Sequence, residues 1–455
     1  MKTTMRFTQI ITILACVAGT TLGACDLDVP DLNNPSLDDL QSHPTAPLVV
    51  SACTGLLIGN RADIAIEIGY VDQLGILGRE AYNFDQADPR YITELLQSPL
   101  SGGGPFGGAF WLFPYANIRA GNLILDAVDR VPEFADTDRA AIKGFTKTLI
   151  ALDLLKVIVT HDTNGAVIDT DKPVDQLGAI VDKDAVYAKI TSLLDDATTD
   201  LDAAGKAFPF ALSSGFTGFD TPKTFRKFNR AIRARVAAYM KDYATVLTAL
   251  GESFLDDTPM GDLNDGVYYS FSTKSGDLPN GLTNKNIYAH PSLVTDAEMN
   301  GSTPDLRLTA KVMMVTTAGA AQSLSSTYKF TMYPDPGSPV PLIRNEELIL
   351  LEAEAKFFTG DVAGAVTALD VVRVRSGGLA PITGTPDAMT FTDELLYERR
   401  YSLLFEGGHR WIDLRRFMRD LPLDMPTHVR NVRYPFPQAE CNARPSEPRC
   451  MLGST

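Results

Sequence analysis

Apolar residues recur at helical spacing over residues 115–131, 139–159, 185–201 and 225–250, and again over 346–358, 362–375 and 395–405. That pattern predicts a mainly α-helical chain. From Gly251 to Pro341 it gives way to Gly, Pro, Asn, Ser and Tyr with short β-branched runs, which predicts a long irregular insertion. Two helical regions share one arrangement. Ala353 precedes Ala365 by twelve residues, with Asp361 in the turn and Leu369 four residues further on, and Ala234, Asp242, Val246 and Leu250 repeat it. Small residues at that spacing let two antiparallel helices approach closely, which predicts tetratricopeptide-like helical hairpins. Such hairpins support recognition surfaces more often than chemistry.

The N-terminal pattern differs. Lys2 and Arg6 precede a short apolar run at 7–24 that ends in small residues, so 1–24 reads as a secretory signal rather than a membrane span. Leu22-Gly23-Ala24-Cys25 resembles a bacterial lipobox, which makes Cys25 the expected lipid-carrying first residue of the mature chain. Residues 25–45, acidic and Pro-containing, are the expected tether, and 46–455 a single domain. The expected tie to a membrane is therefore a lipid anchor.

The 455 residues are 45% hydrophobic, enough for a large core, and carry a formal net charge of −15. A chain so acidic repels polyanions, so no nucleic-acid partner is expected. Cys16 goes with the signal. Cys441 and Cys450 flank a Pro-rich loop and suit a local disulfide, leaving Cys53 as a free, buried thiol. With five histidines and none at ligand spacing from a cysteine pair, no metal is expected, and no cofactor.

The segment LYERRYSLLFEGGHRWIDLRRF, 396–417, packs charges among leucines and aromatics. Thr390 and Asp393 fit a capping box before it, and Gly407-Gly408 suit its helix end. Charges in so apolar a setting must be paired. Glu398, Arg399, Arg400, Glu406, Arg410 and Asp413 therefore read as a partly buried ion-pair network, with His409 as a structural hydrogen bonder.

Together, Asn345-Glu346 with LEAEA, GDVAGAVTALDVVRVRSGGL, ELLYERRYSLLFEGGHRWIDLRR and the closing PFPQAE strongly resemble the SusD/RagB family of outer-membrane nutrient-binding lipoproteins. The resemblance is most specific over 344–417 and extends more weakly to WLFPYANIRAGNLILDAV and the lipoprotein start. It implies a helical fold with four tetratricopeptide-like units and an irregular ligand-binding part. It implies too a cell-surface role beside a SusC-like TonB-dependent transporter, to which an oligosaccharide or peptide is delivered. Trp411 is core by its motif position. The compact insertion and the cysteine-bounded tail depart from the family pattern, and the family's ligand residues do not carry over.

Ligand candidates must then come from chemistry. Sugar sites combine an aromatic platform with a few hydrogen-bonding groups. The loop SGGGPFGGAFWLFPY offers Phe110, Trp111 and Tyr115, with Arg79, Glu80 and Tyr82 nearby in sequence, and the insertion offers Tyr268, Tyr269 and Tyr288. Core packing is the competing reading for Trp111 and Phe110. Two other function classes are open. A tetratricopeptide-like scaffold would bind only another protein. A glycosidase would need a carboxylate pair about 5 or 6.5–9.5 Å apart, and no acid pair stands out; no enzyme is expected.

Overall fold

A computed structural model describes residues 37–173 and 176–451; the signal, Cys25 and most of the tether lie outside the described residues. The principal helices are α1 (Ala46–Arg61), α2 (Tyr70–Leu77), α3 (Leu112–Val128), α4 (Asp136–His161), α5 (Lys183–Ala203), α6 (Pro222–Tyr239) and α7 (Tyr243–Gly251). After the insertion come α8 (Asn345–Phe358), α9 (Val362–Arg375), α10 (Ala388–Ser402) and α11 (His409–Arg416). Consecutive helices α3 to α7 pack on one another, and so do α8 and α9, while α7 also packs on α8. The fold is thus mainly helical, as the periodicity predicts.

Each predicted hairpin has its physical basis. The periodicity over 225–250 resolves into α6 and α7, joined where Lys241 takes φ 60° and Asp242 caps the Thr245 amide. Asp361 likewise accepts from Gly364 N–H at 2.9 Å to start α9. Ala353 and Ala365 are both buried, in a second core cluster with Ile349, Leu350, Leu369, Val372, Phe391 and Leu395. The other face of α8 places Leu348, Leu351 and Ala355 in the main core. A helix apolar on both sides is buried on both sides.

Among the described residues of 251–341 the regular elements are short apart from one longer hairpin, Val312–Ala321 with Leu324–Phe330. With β1 (Ala81–Asn83) placed earlier, they include β2 (Gly266–Tyr269), β3 (Ile287–Ala289), β4 (Val312–Ala321) and β5 (Leu324–Phe330), and β6 (Val340–Arg344) follows. β1 pairs with β3, β4 with β5 and β2 with β6, all antiparallel. In the last pair Tyr268 stands opposite Pro341, and the register shifts between Pro341 and Ile343.

Two predicted boundaries are corrected. Helix α10 starts one turn before the expected capping box, because Asp387 is its N-cap and accepts from Thr390 N–H at 2.8 Å. It ends at Ser402 rather than at the glycine pair. Gly408 instead enters α11 at φ 69°, where an added Cβ would lie 2.4 Å from that of Leu74. Left-handed backbone and close approach both call for glycine there.

Candidate ligand-binding clefts

The charged C-terminal segment is an internal lattice of ion pairs. Arg399 Nε donates to Asp413 Oδ2 at 2.6 Å and Arg416 Nη1 to Asp413 Oδ1 at 2.8 Å. Burial works to raise the Asp413 carboxyl, but Arg399 and then Arg416 outweigh it and hold the group below its ordinary value. Glu406 accepts from Arg344 Nη2 at 3.0 Å and Lys311 Nζ at 3.1 Å, and Glu398 from Arg373 Nη1 at 2.9 Å and from Arg307. Arg400 reaches Asp296 and the Ser292 hydroxyl, both at 2.7 Å. Trp411 is fully buried and donates to the Asn431 carbonyl at 2.9 Å.

Arg410 departs from the expected network. It makes no ion pair among the described residues, since Glu406 and Asp413 are already taken by arginines from other positions. Burial and the Arg400 charge pull its guanidinium down to about 10, with Glu80 opposing. His409 is corrected as well. Its buried Nδ1 has no hydrogen-bond partner among the described residues, and burial lowers the ring to about 4.

The glycine-rich loop does not present a platform. Trp111 is 6% exposed, its ring 4.6 Å from Tyr115 and 5.0 Å from both His161 and Phe436. Phe110 is wedged between Tyr70 and Tyr434, and the Tyr115 hydroxyl donates to the Val167 carbonyl at 2.9 Å and accepts its amide at 2.7 Å. Arg79 is buried against Asp424 at 3.2 Å. The glycines serve close packing rather than mobility. A Cβ on Gly107 would meet the Ser101 carbonyl oxygen at 1.8 Å, and Glu94 Oε1 accepts the Phe106 and Gly107 amides, each at 3.2 Å. Tyr288 is also engaged: Phe84 lies 5.5 Å from its ring, the Lys329 ammonium 3.5 Å above it, and Gly319 closes on its edge.

Tyr268 is different. Its side chain is half-buried on β2 and lines three adjoining clefts of about 730, 440 and 400 Å³. The largest lies between β2 and the loop 332–341, over a floor of Arg344, Glu346, Lys311 and Glu406. A second is bounded by Ser214, Thr217, Asn264, Asp265 and Ser270, and the third by Leu57, Arg61, Leu212, Phe216 and Tyr269. The Tyr268 hydroxyl donates to the Asn264 carbonyl at 2.5 Å, which fixes the ring, and burial raises it to about 12. Tyr269, next along the strand, faces inward as well, onto a cavity of about 70 Å³ with Tyr70, Lys156, Arg235, Tyr239 and His409. Of the sequence candidates only Tyr268 and Tyr269 thus border cleft space here. The polar rim from 211–217 and 332–341 was not singled out beforehand, although the Pro-Asp-Pro-Gly-Ser-Pro run at 334–339 marks a rigid loop.

Cys441 and Cys450 are joined by a disulfide, and Cys53 is buried and free. Arg449 in this tail donates to the Ile180 carbonyl at 2.7 Å. Among the described residues no helix is long and apolar enough to cross a membrane, and no group of three or more His, Cys, Asp and Glu could hold a metal ion.

Residues 264–445 match the SusD family model, which bears out the resemblance of this part of the chain to the SusD/RagB family. Among solved structures, surface glycan-binding protein A from Bacteroides uniformis superposes with a TM-score of 0.68 at 16% identity, over 89% of this chain and 98% of that one. A SusD-like carbohydrate binding protein from Bacteroides fragilis gives 0.67 at 15% identity, over 87% and 98%. A laminarin binding SusD-like protein gives 0.62 at 18%, over 88% and 98%. At these identities the likeness is one of fold. No curated protein sequence matches the chain.

Proposed function

We propose that the protein is a cell-surface binder of glycans, which takes up oligosaccharide in the clefts around Tyr268. The observation that carries this reading is the confluence of three clefts on one fixed aromatic side chain, rimmed by the hydroxyls of Ser214, Thr217, Ser270 and Ser338 and the amide of Asn264. A sugar offers an apolar C–H face to the ring and hydroxyls to the rim. Structural relatives whose names describe carbohydrate, laminarin or surface glycan binding support the same reading.

The reaction class proposed is binding without catalysis. On the cleft floor, burial acts to raise Glu346, but Arg344 and Lys311 outweigh it and hold the carboxyl at about 2. A carboxyl so acidic stays ionised at neutral pH and cannot serve as a general acid.

Delivery of the captured chain to a SusC-like TonB-dependent transporter in the outer membrane, with Cys25 carrying the lipid anchor, completes the proposal. It is supported by the family match and by the lipobox-like LGAC. Cys25→Ser should convert a detergent-extractable protein into a soluble one, and mass spectrometry of the mature terminus should find the acylated cysteine. Co-purification with a transporter of that class tests the partner. A binding screen across neutral oligosaccharides and peptides tests the ligand: saturable glycan binding without hydrolysis is expected. Peptide binding alone, or protein binding with no small ligand, would overturn the glycan reading.

A further inference from the structure

The clefts around Tyr268 spend their positive charges internally and leave negative ones free. Four cations line them. Arg344 holds Glu346 and Glu406, Arg307 holds Asp305 and Glu398, Lys311 holds Glu406 with the Tyr401 and Ser402 carbonyls, and Arg61 holds Asp277 with the Ser270 carbonyl. Each of the four is thus already held by at least one carboxylate.

The rim is the reverse. Asp262 and Asp265 border the 440 Å³ cleft and Asp335 the 730 Å³ cleft; all three are exposed, and none makes an ion pair among the described residues. Partial burial and then the like charge of Asp262 raise the Asp265 carboxyl against the opposing charge of Lys227, so these two acids feel one another's field. The whole chain adds a net −15 to that background.

Resting on the glycan reading above, we propose that these clefts discriminate by charge, accepting uncharged sugar chains and rejecting chains that carry carboxylate or sulfate groups. An acidic sugar entering here would give up hydration, face Asp262, Asp265 and Asp335, and find the four cations that line the clefts, Arg61, Arg307, Lys311 and Arg344, already paired. A neutral chain meets the same hydroxyls and the same Tyr268 ring without that penalty. Because the rim is exposed, the discrimination should weaken as salt rises.

The experiment uses calorimetry with two length-matched sets: neutral glucan and galactan oligosaccharides, and oligogalacturonates with sulfated galactan oligosaccharides. The parent protein should bind a neutral chain at least about tenfold more tightly than its acidic counterpart at low salt, with the gap narrowing towards high salt. The triple variant D262N/D265N/D335N keeps the side-chain oxygens that accept the Asn264 amide at 2.9 Å and the Gly337 amide at 2.8 Å, and its folding is checked by thermal unfolding. Its ratio of acidic to neutral affinity should rise at least about fivefold. Acidic chains binding the parent as tightly as neutral ones, or a ratio unmoved in the folded triple variant, overturns the charge filter alone. Failure of every sugar, neutral and acidic, to bind overturns instead the glycan reading beneath it.

Discussion

Arg399 and Asp413, both buried, meet at 2.6 Å and fasten α10 to α11. Asp413 also receives Arg416, which reaches on to Glu354 of α8, so one carboxylate ties three helices together. Arg399→Ala leaves Asp413 short of a partner in a buried setting and should cost about 3–5 kcal/mol in denaturant unfolding. Arg410→Ala orphans neither Glu406 nor Asp413 and should cost clearly less. Equal losses in the two variants would contradict the assignment of partners.

Glu80 supplies a pH test. Burial pushes its carboxyl from an ordinary 4.5 to about 8, with Arg410 the main opposing charge. The folded state therefore keeps a proton that the unfolded state releases, and stability falls as pH rises between those two values. Glu80→Gln removes that dependence. Relative to the parent it should be near-neutral below pH 4.5 and stabilising, on the order of 1 kcal/mol or more, by pH 8. A stability difference that does not change across this window would place Glu80 in an ordinary carboxyl environment.

Trp111→Ala should behave as a core truncation. Loss of an indole packed against Tyr115, His161 and Phe436 should cost about 3–5 kcal/mol of stability, with sugar affinity of the folded protein unchanged. Normal stability with lost binding would return the glycine-rich loop to the ligand site.

The sequence was most legible where one helix face decides the outcome. Ala353 and Ala365 are spaced for close helix approach, and both are buried in the same cluster. Legibility failed where local pattern permits two packings. An aromatic after a glycine run reads equally as a mobile platform or as a wedge in a tight loop, and only the Ser101 and Glu94 contacts decide for the wedge. Arg410 and Asp413 sit three apart on one helix, which suggests a pair, but Arg399 from α10 and Arg416 reach the carboxylate instead. The clefts were beyond reach because they join 211–217, 262–271 and 332–341, segments brought together only by the fold. Tyr268 was nameable in advance; its surroundings were not.

The central claim is that Tyr268 is the platform of a sugar site, and calorimetric titration of the tightest-binding neutral oligosaccharide into the parent, Tyr268→Ala and Tyr268→Phe tests it most directly. Stacking on the ring contributes on the order of 1 kcal/mol beyond buried area, so Tyr268→Ala should weaken binding at least about fivefold. Tyr268→Phe, which keeps the face and loses only the hydroxyl bond to the Asn264 carbonyl, should stay close to the parent. An unaltered Kd in a folded Tyr268→Ala protein would contradict the account.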